Sequence, residues 1–232
     1  VMAPNFVRSL FLLFFIPFSG MSQDIIFGIE TKYSFPINDF KEKLQANSFP
    51  EIAGSVYYEF PRFPVAAGLS VGYGLYGSLL EKRDDLYDGD PEVLRLRRNS
   101  NVLHIKAHYK HYLPWVKMDR LFIDAQIGAS NLYTRYMIRE TILSETLEEG
   151  FDHSAFTMAY GLALGYKLPI EFKGSDTQLE LKVSYNNSAP FRFLPKGGVE
   201  TTKNPGENAV FHYNTQRSNI EMVQIAIAVV GI

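Results

Sequence analysis

Eight segments of this chain alternate bulky apolar residues with small or polar ones, and no comparable helical period runs beside them. They occupy residues 24–35, 51–60, 65–77, 101–112, 121–133, 159–169, 177–186 and 221–232. Period two puts successive side chains on opposite faces, so each segment predicts a strand with one apolar face. Residues 101–112 divide most sharply: Leu103, Ile105, Ala107 and Tyr109 alternate with His104, Lys106, His108 and Lys110. Residues 159–169 divide by size instead. Tyr160, Leu162, Leu164 and Tyr166 are large, whereas Ala159, Gly161, Ala163 and Gly165 are tiny. The segments reach the length of about 9–11 residues that a strand needs to cross a bilayer.

The connections alternate in length. Residues 61–64, 114–119 and 169–175 are short joins, and residues 36–50, 78–100, 138–152 and 187–218 are longer and polar. Short helical turns are expected in "DFKEKLQA" and "TILSETLEE", both within connections. Alternating short and long joins predict strands running up and down, with both termini and the three tight turns on the periplasmic side.

The first residues predict a secretory signal peptide over residues 1–22. Arg8 supplies a positive start, residues 10–18 a short apolar run, and Gly20 and Ser22 the small residues for cleavage. Residues 23–232 then form a single barrel domain. With no cysteine in the chain, disulfides, thiolate metal sites and cysteine nucleophiles are excluded. The formal net charge of −2 gives no basic field for nucleic acid.

Alternation alone does not say which face is outside. Three features do. The apolar face carries tyrosines near segment ends, among them Tyr33, Tyr58, Tyr73, Tyr109 and Tyr185, and tyrosine prefers the headgroup level. The other face mixes charges with glycine and alanine. That suits a narrow lumen where small residues face bulky ones such as Tyr57, Tyr76 and Phe122. The segments are long and follow a signal peptide. Within a bilayer only helices or closed barrels satisfy the backbone. The fold class is therefore all-β: an eight-stranded antiparallel up-and-down transmembrane β-barrel. A soluble lipocalin-like carrier, with the apolar face around a cavity, is the alternative.

On this reading Tyr160, Leu162, Leu164, Tyr166, Ile225 and Ile227 face lipid, and an arginine at Leu164 disrupts membrane assembly. Glu30, Lys32, Glu59, His104, Lys106, His108, Lys110, Asp124, Glu180 and Lys182 form a polar network in the lumen. Its charges should pair, because an unpaired buried charge is costly. Such a network plugs the lumen.

The "SQD" that ends the signal segment, the glycine- and tyrosine-rich strands and the terminal apolar strand "EMVQIAIAVVGI" carry a resemblance. The chain resembles small outer-membrane β-barrel proteins of Gram-negative bacteria. Its flavour is that of the Bacteroidota outer membrane protein beta-barrel domain group, with OmpA- and OmpX-type architecture. The resemblance implies an outer-membrane location and contact with outer-membrane lipid and lipopolysaccharide. Such barrels often end in an aromatic residue, where this chain has Ile232.

Four motifs invite chemistry. "GYGLYG" fits a dinucleotide fingerprint only between a strand and a helix, and here it lies late in a strand. The acidic stretch 84–92 lacks the spacing of a calcium loop, and the arginines of "RLRR" follow it. His104 and His108 are four residues apart, about 13 Å along a strand, too far for one metal ion. Asp152, His153 and Ser154 are the candidates for a catalytic set, but neighbours on a strand point to opposite faces. "KNPGEN" faintly resembles lipid A deacylase barrels, without their His-x-Ser-Asn stretch. We therefore expect no catalytic site, no metal and no cofactor. The expected function is structural or surface-interacting, with an envelope protein complex as a further partner and no nucleic acid. A narrow transport barrel and an outer-membrane lipid hydrolase remain alternatives.

Overall fold

The computed structural model describes residues 25–87, 93–114, 120–168, 177–203 and 208–231. The expected signal peptide, the turn from Pro169 and Ile232 lie outside these residues. In chain order the elements are β1 (Ile25–Pro36), α1 (Asn38–Leu44), β2 (Phe49–Glu59), β3 (Val65–Arg83), β4 (Leu94–Tyr112), β5 (Leu121–Arg139), β6 (Glu148–Leu168) and β7 (Gln178–Ser188). The short strands β8 (Phe191–Phe193), β9 (Val199–Thr202), β10 (Val210–Tyr213) and β11 (Gln216–Ser218) follow, and β12 (Glu221–Gly231) ends the series. Strands β1 to β7 pair antiparallel with their chain neighbours, β7 pairs with β12, and β12 pairs with β1. The result is a closed eight-stranded barrel.

Closure leaves no strand edge where all eight strands run together, and the two faces of the wall differ in kind. Phe27, Ile29, Ile52, Leu69, Val71, Ile105, Ile127, Leu162, Val183 and Ile227 are exposed around the outside. Lysines, carboxylates, histidines and amides are buried within. Soluble sheets bury the apolar face; a membrane barrel shows it to lipid. This inversion excludes the lipocalin-like alternative. No helix among the described residues is long and apolar enough to cross a membrane.

Small residues set the width of the lumen. Phe122 sits directly opposite Gly165, and Tyr57 directly opposite Gly68. A Cβ on either glycine would overlap the facing ring. Gly165→Val is therefore expected to destabilise the barrel by about 1–3 kcal/mol through overpacking. A lower temperature for the loss of heat-modifiable gel migration would show it; an unchanged transition would contradict the fit.

The wall is uneven. Strands β1, β2, β7 and β12 have 11 or 12 residues, whereas β3, β4 and β5 have 19 and β6 has 21. The excess is on the order of 25 Å of strand, at about 3.3 Å per residue. It rises on the side of the long connections. Two expected joins thus shrink: 78–100 to 84–93, and 138–152 to 140–147. The alternation does continue, but register shifts at Leu75/Gly77 and at Thr134/Arg135 change its phase. An extra residue at a bulge breaks the period that sequence reading relies on.

The two expected helical turns part company. "DFKEKLQA" forms α1, which buries Phe40 and Leu44 one turn apart and ends at Gln45 in the left-handed conformation. "TILSETLEE" makes only bends before β6 begins at Glu148. There the sheet captures the glutamates: Tyr87 and Tyr136 each donate to Glu148 at 2.7 Å, and Arg135 donates to Glu149 at 2.7 Å.

Candidate functional site

The lumen is filled in two levels. The level nearer the tight turns is ionic. Lys110 on β4 donates to Glu180 on β7 at 2.8 and 3.1 Å, and its ammonium lies 3.9 Å from the centre of the Tyr57 ring. Lys182 donates to Glu30 at 2.7 Å, with Lys32 at 3.8 Å from the same carboxylate. His108 meets Asp124 at 3.0 Å and Ser70 at 2.7 Å. Lys106 lies between amides, donating to Asn186 at 2.6 Å and to Gln126 at 3.3 Å. Farther toward the long connections, Gln224 donates to Ser34 at 2.7 Å and to Glu51 at 2.8 Å, and Ser34 donates to Glu51 as well. His104 meets Ser130 at 2.6 Å and faces Glu51 at 3.7 Å.

Charges in this level balance. Lys32, Lys106, Lys110 and Lys182 are buried with Glu30, Glu51, Asp124 and Glu180. Buried ions are tolerated when paired and hydrogen-bonded, because each then recovers part of its lost hydration. Glu59 lies at the turn-side mouth, half-buried, where Tyr112 donates to it at 2.6 Å and Lys167 at 3.1 Å. A vestibule of about 250 Å³ opens there, bounded by Tyr57, Lys110, Glu180 and this trio.

The second level is apolar, so the polar network expected to plug the lumen fills only part of it. Phe49, Tyr76, Val102, Leu132 and Met222 each stand two residues beyond an ionic-level position on the same strand. Phe40 and Leu44 of α1 pack onto them from above, with Phe191, Phe193 and Ile220 from the connection between β7 and β12. The Phe40 and Phe193 rings meet edge to face, 5.6 Å apart. Connections carry no period-two signal, so nothing in the sequence assigned these residues to the lumen. Only the i, i+4 spacing of Phe40 and Leu44 hinted at a buried helical face.

Above this plug the raised wall is lined by a further cluster. Leu86, Leu94, Leu96 and Ile138 pack with Tyr87, Tyr136, Ala209 and Phe211. Strands β9 and β10 form a hairpin within the long connection, and Phe211 covers the Arg98 guanidinium at 4.8 Å. Arg98 and Tyr213 both donate to Asp152 at 3.1 Å. Burial raises the Asp152 carboxyl above its ordinary range, against the pull of Arg98 and Tyr213.

The structure separates the three candidate catalytic residues. Asp152 is ion-paired to Arg98. His153 stands opposite Thr134 on the lumen side, and burial holds its imidazole below the usual range. Ser154 is exposed and donates to Asn131 at 3.0 Å. No hydrogen bond among the described residues joins any two of the three. Nor do three or more His, Asp or Glu side chains gather around a metal-sized site among those residues. All ten residues expected in the lumen network lie on the inner face, nine of them buried and Glu59 at the mouth. Tyr160, Leu162, Leu164, Ile225 and Ile227 are exposed outside, with Tyr166 partly so. Sequence reading left Glu51, Gln126, Asn186 and Gln224 out of the network, although all four have the parity of its charged members.

No family model and no curated protein matches the chain. Solved structures do. Neisserial surface protein A aligns over 90% of this chain and 96% of its own, at 8% identity and a TM-score of 0.45. Ail, the attachment invasion locus protein of Yersinia pestis, aligns over 89% and 96%, at 11% identity and 0.43. A major outer membrane protein from Thermus thermophilus aligns over 89% and 98%, at 12% identity and 0.46. The eight-strand closure itself rests on the strand pairing described above. The likeness to the Bacteroidota group stays a resemblance of sequence pattern.

Proposed function

We propose that this chain resides in the outer membrane of a Gram-negative bacterium as a sealed barrel with a structural or surface-interaction role. It is neither a pore nor an enzyme. The observation that carries this is the lumen: a charge-balanced network fills the level nearer the tight turns, and an apolar plug covers it. The separation of Asp152, His153 and Ser154 supports the non-enzymatic part. The raised wall is the interacting element, in contact with outer-membrane lipid and lipopolysaccharide and available to an envelope complex. On this proposal α1, the plug and the raised wall face the cell exterior, and the tight turns face the periplasm.

Orientation is open to a direct test, because the chain has no cysteine of its own. Leu143→Cys lies in the join between β5 and β6, where the side chain is 96% exposed. Arg62→Cys lies in the turn between β2 and β3. A membrane-impermeant maleimide applied to intact cells should label the first and leave the second until the cells are opened. The reverse pattern would overturn the orientation.

A further inference from the structure

The outer face of the raised wall carries cations without an ion-pair partner among the described residues. Lys82, Arg95 and Arg139 stand directly opposite one another across β3, β4 and β5. Two residues nearer the membrane belt, Arg97 stands between Leu80 and Met137. Like charges directly opposed across strands destabilise a sheet. Elsewhere on this wall arginines are matched. Arg98 pairs with Asp152 at 3.1 Å, Arg83 with Asp85 at 2.6 Å, and Arg135 on the outer face with Glu149 at 2.7 Å. Among the described residues, no carboxylate lies within ion-pair distance of Lys82, Arg95, Arg97 or Arg139. Neutral groups position two of them. Arg97 donates to the Asn99 side chain at 3.2 Å, and Arg139 to Thr146 at 3.0 Å and to the Ile142 carbonyl at 3.5 Å.

The three arginines bound a groove of about 360 Å³, where Arg95, Arg97 and Arg139 alternate with Leu80, Met137 and Ile142. Its height is set by the strand. Arg97 is four residues beyond Asn101, whose row holds Leu75 and Tyr133 at the edge of the apolar belt. That is about 13 Å along the strand, or about 10 Å in height at a tilt of about 40°. The groove therefore opens sideways onto the layer just outside the hydrocarbon. From the chain's own long connection, Ala209 and Phe211 pack on the inner face of the wall, with Leu96 and Ile138.

We propose that this groove binds the phosphorylated saccharide headgroup of an outer-leaflet lipid. The guanidinium groups take phosphate oxygens, and the apolar side chains take the flank of a sugar ring. Guanidinium forks match phosphate in a bidentate way that ammonium groups do not, which fits three arginines around one groove. The proposal rests on the orientation given above, because only then does the groove meet the outer leaflet.

The test uses the full barrel in phosphatidylcholine vesicles doped with bisphosphorylated lipid A or with its fully dephosphorylated form. Lipid retained through detergent extraction and purification is counted by mass spectrometry. The native barrel should retain the bisphosphorylated form preferentially. The triple variant Arg95→Gln, Arg97→Gln, Arg139→Gln should lose about tenfold or more of that retention, as removal of charge-assisted bonds implies. Arg62→Gln with Lys41→Gln, which removes two cations elsewhere, should retain it. Equal retention by the triple variant, or equal retention of both lipid forms, would overturn the proposal. Heat-modifiable migration checks the fold of each variant, and Arg95→Gln alone serves if the triple variant does not fold. The maleimide labelling of intact cells described above separates a failure of the groove from a failure of the orientation.

Discussion

Replacing Glu180 with leucine should lower the stability of the folded barrel by about 3–5 kcal/mol, because it strands the Lys110 ammonium without its carboxylate. Glu180 and Lys110 are 1% and 2% exposed at the inner end of the vestibule, and leucine offers the ammonium no acceptor. The surrounding groups do not take the lost partner's place. Tyr57 and Phe122 offer ring faces at 3.9 and 4.8 Å, which soften a cation's burial without replacing an ion pair. The double variant Lys110→Met, Glu180→Leu removes both charges and should recover most of the loss. Denaturant midpoints of the refolded barrel in detergent micelles measure both variants. A single variant as stable as the double one would show that water reaches this level of the lumen.

The second large effect is expected on the opposite face. Leu162→Arg should cost about 2–4 kcal/mol, the penalty of a cation at the middle of the hydrocarbon. The outward apolar run on β6 extends from Phe156 to Leu168, which puts Leu162, rather than Leu164, at its centre. Leu162 is 56% exposed between Ala125 and Tyr185 and has no acidic neighbour in its row. Leu143→Arg, in a join beyond the belt, should shift stability by no more than about 0.5 kcal/mol. Folding into vesicles, followed by heat-modifiable migration, compares the two. Equal yields would contradict the placement of the apolar belt in lipid.

The barrel was legible because each membrane-crossing strand writes its two faces into alternate residues. His104, Lys106, His108 and Lys110 share a parity in sequence and a lumen in space. What lay hidden has physical causes. The extra residues Tyr76 on β3 and Asp152 on β6 shift the phase of those two strands, and on β4 and β5 the alternation runs on but with arginines outside and leucines within, so the raised halves read as loops. The apolar plug is built from α1 and from residues around β8, whose register no strand pattern fixes. Its composition looked like that of any connection carrying a few phenylalanines. Asp152 looked catalytic beside His153 and Ser154 because adjacency in sequence is visible and orientation is not. The bulge turns Asp152 inward to Arg98.

The sealed lumen is the central claim, and planar-bilayer recording of the purified barrel tests it most directly. The ionic network and the plug together predict a membrane as silent as lipid alone. Phe193→Ala should stay silent too, because the ionic level lies beneath the plug. Steady ohmic conductance from the native protein, scaling with the number of barrels inserted, would contradict the sealed lumen and restore the transport reading.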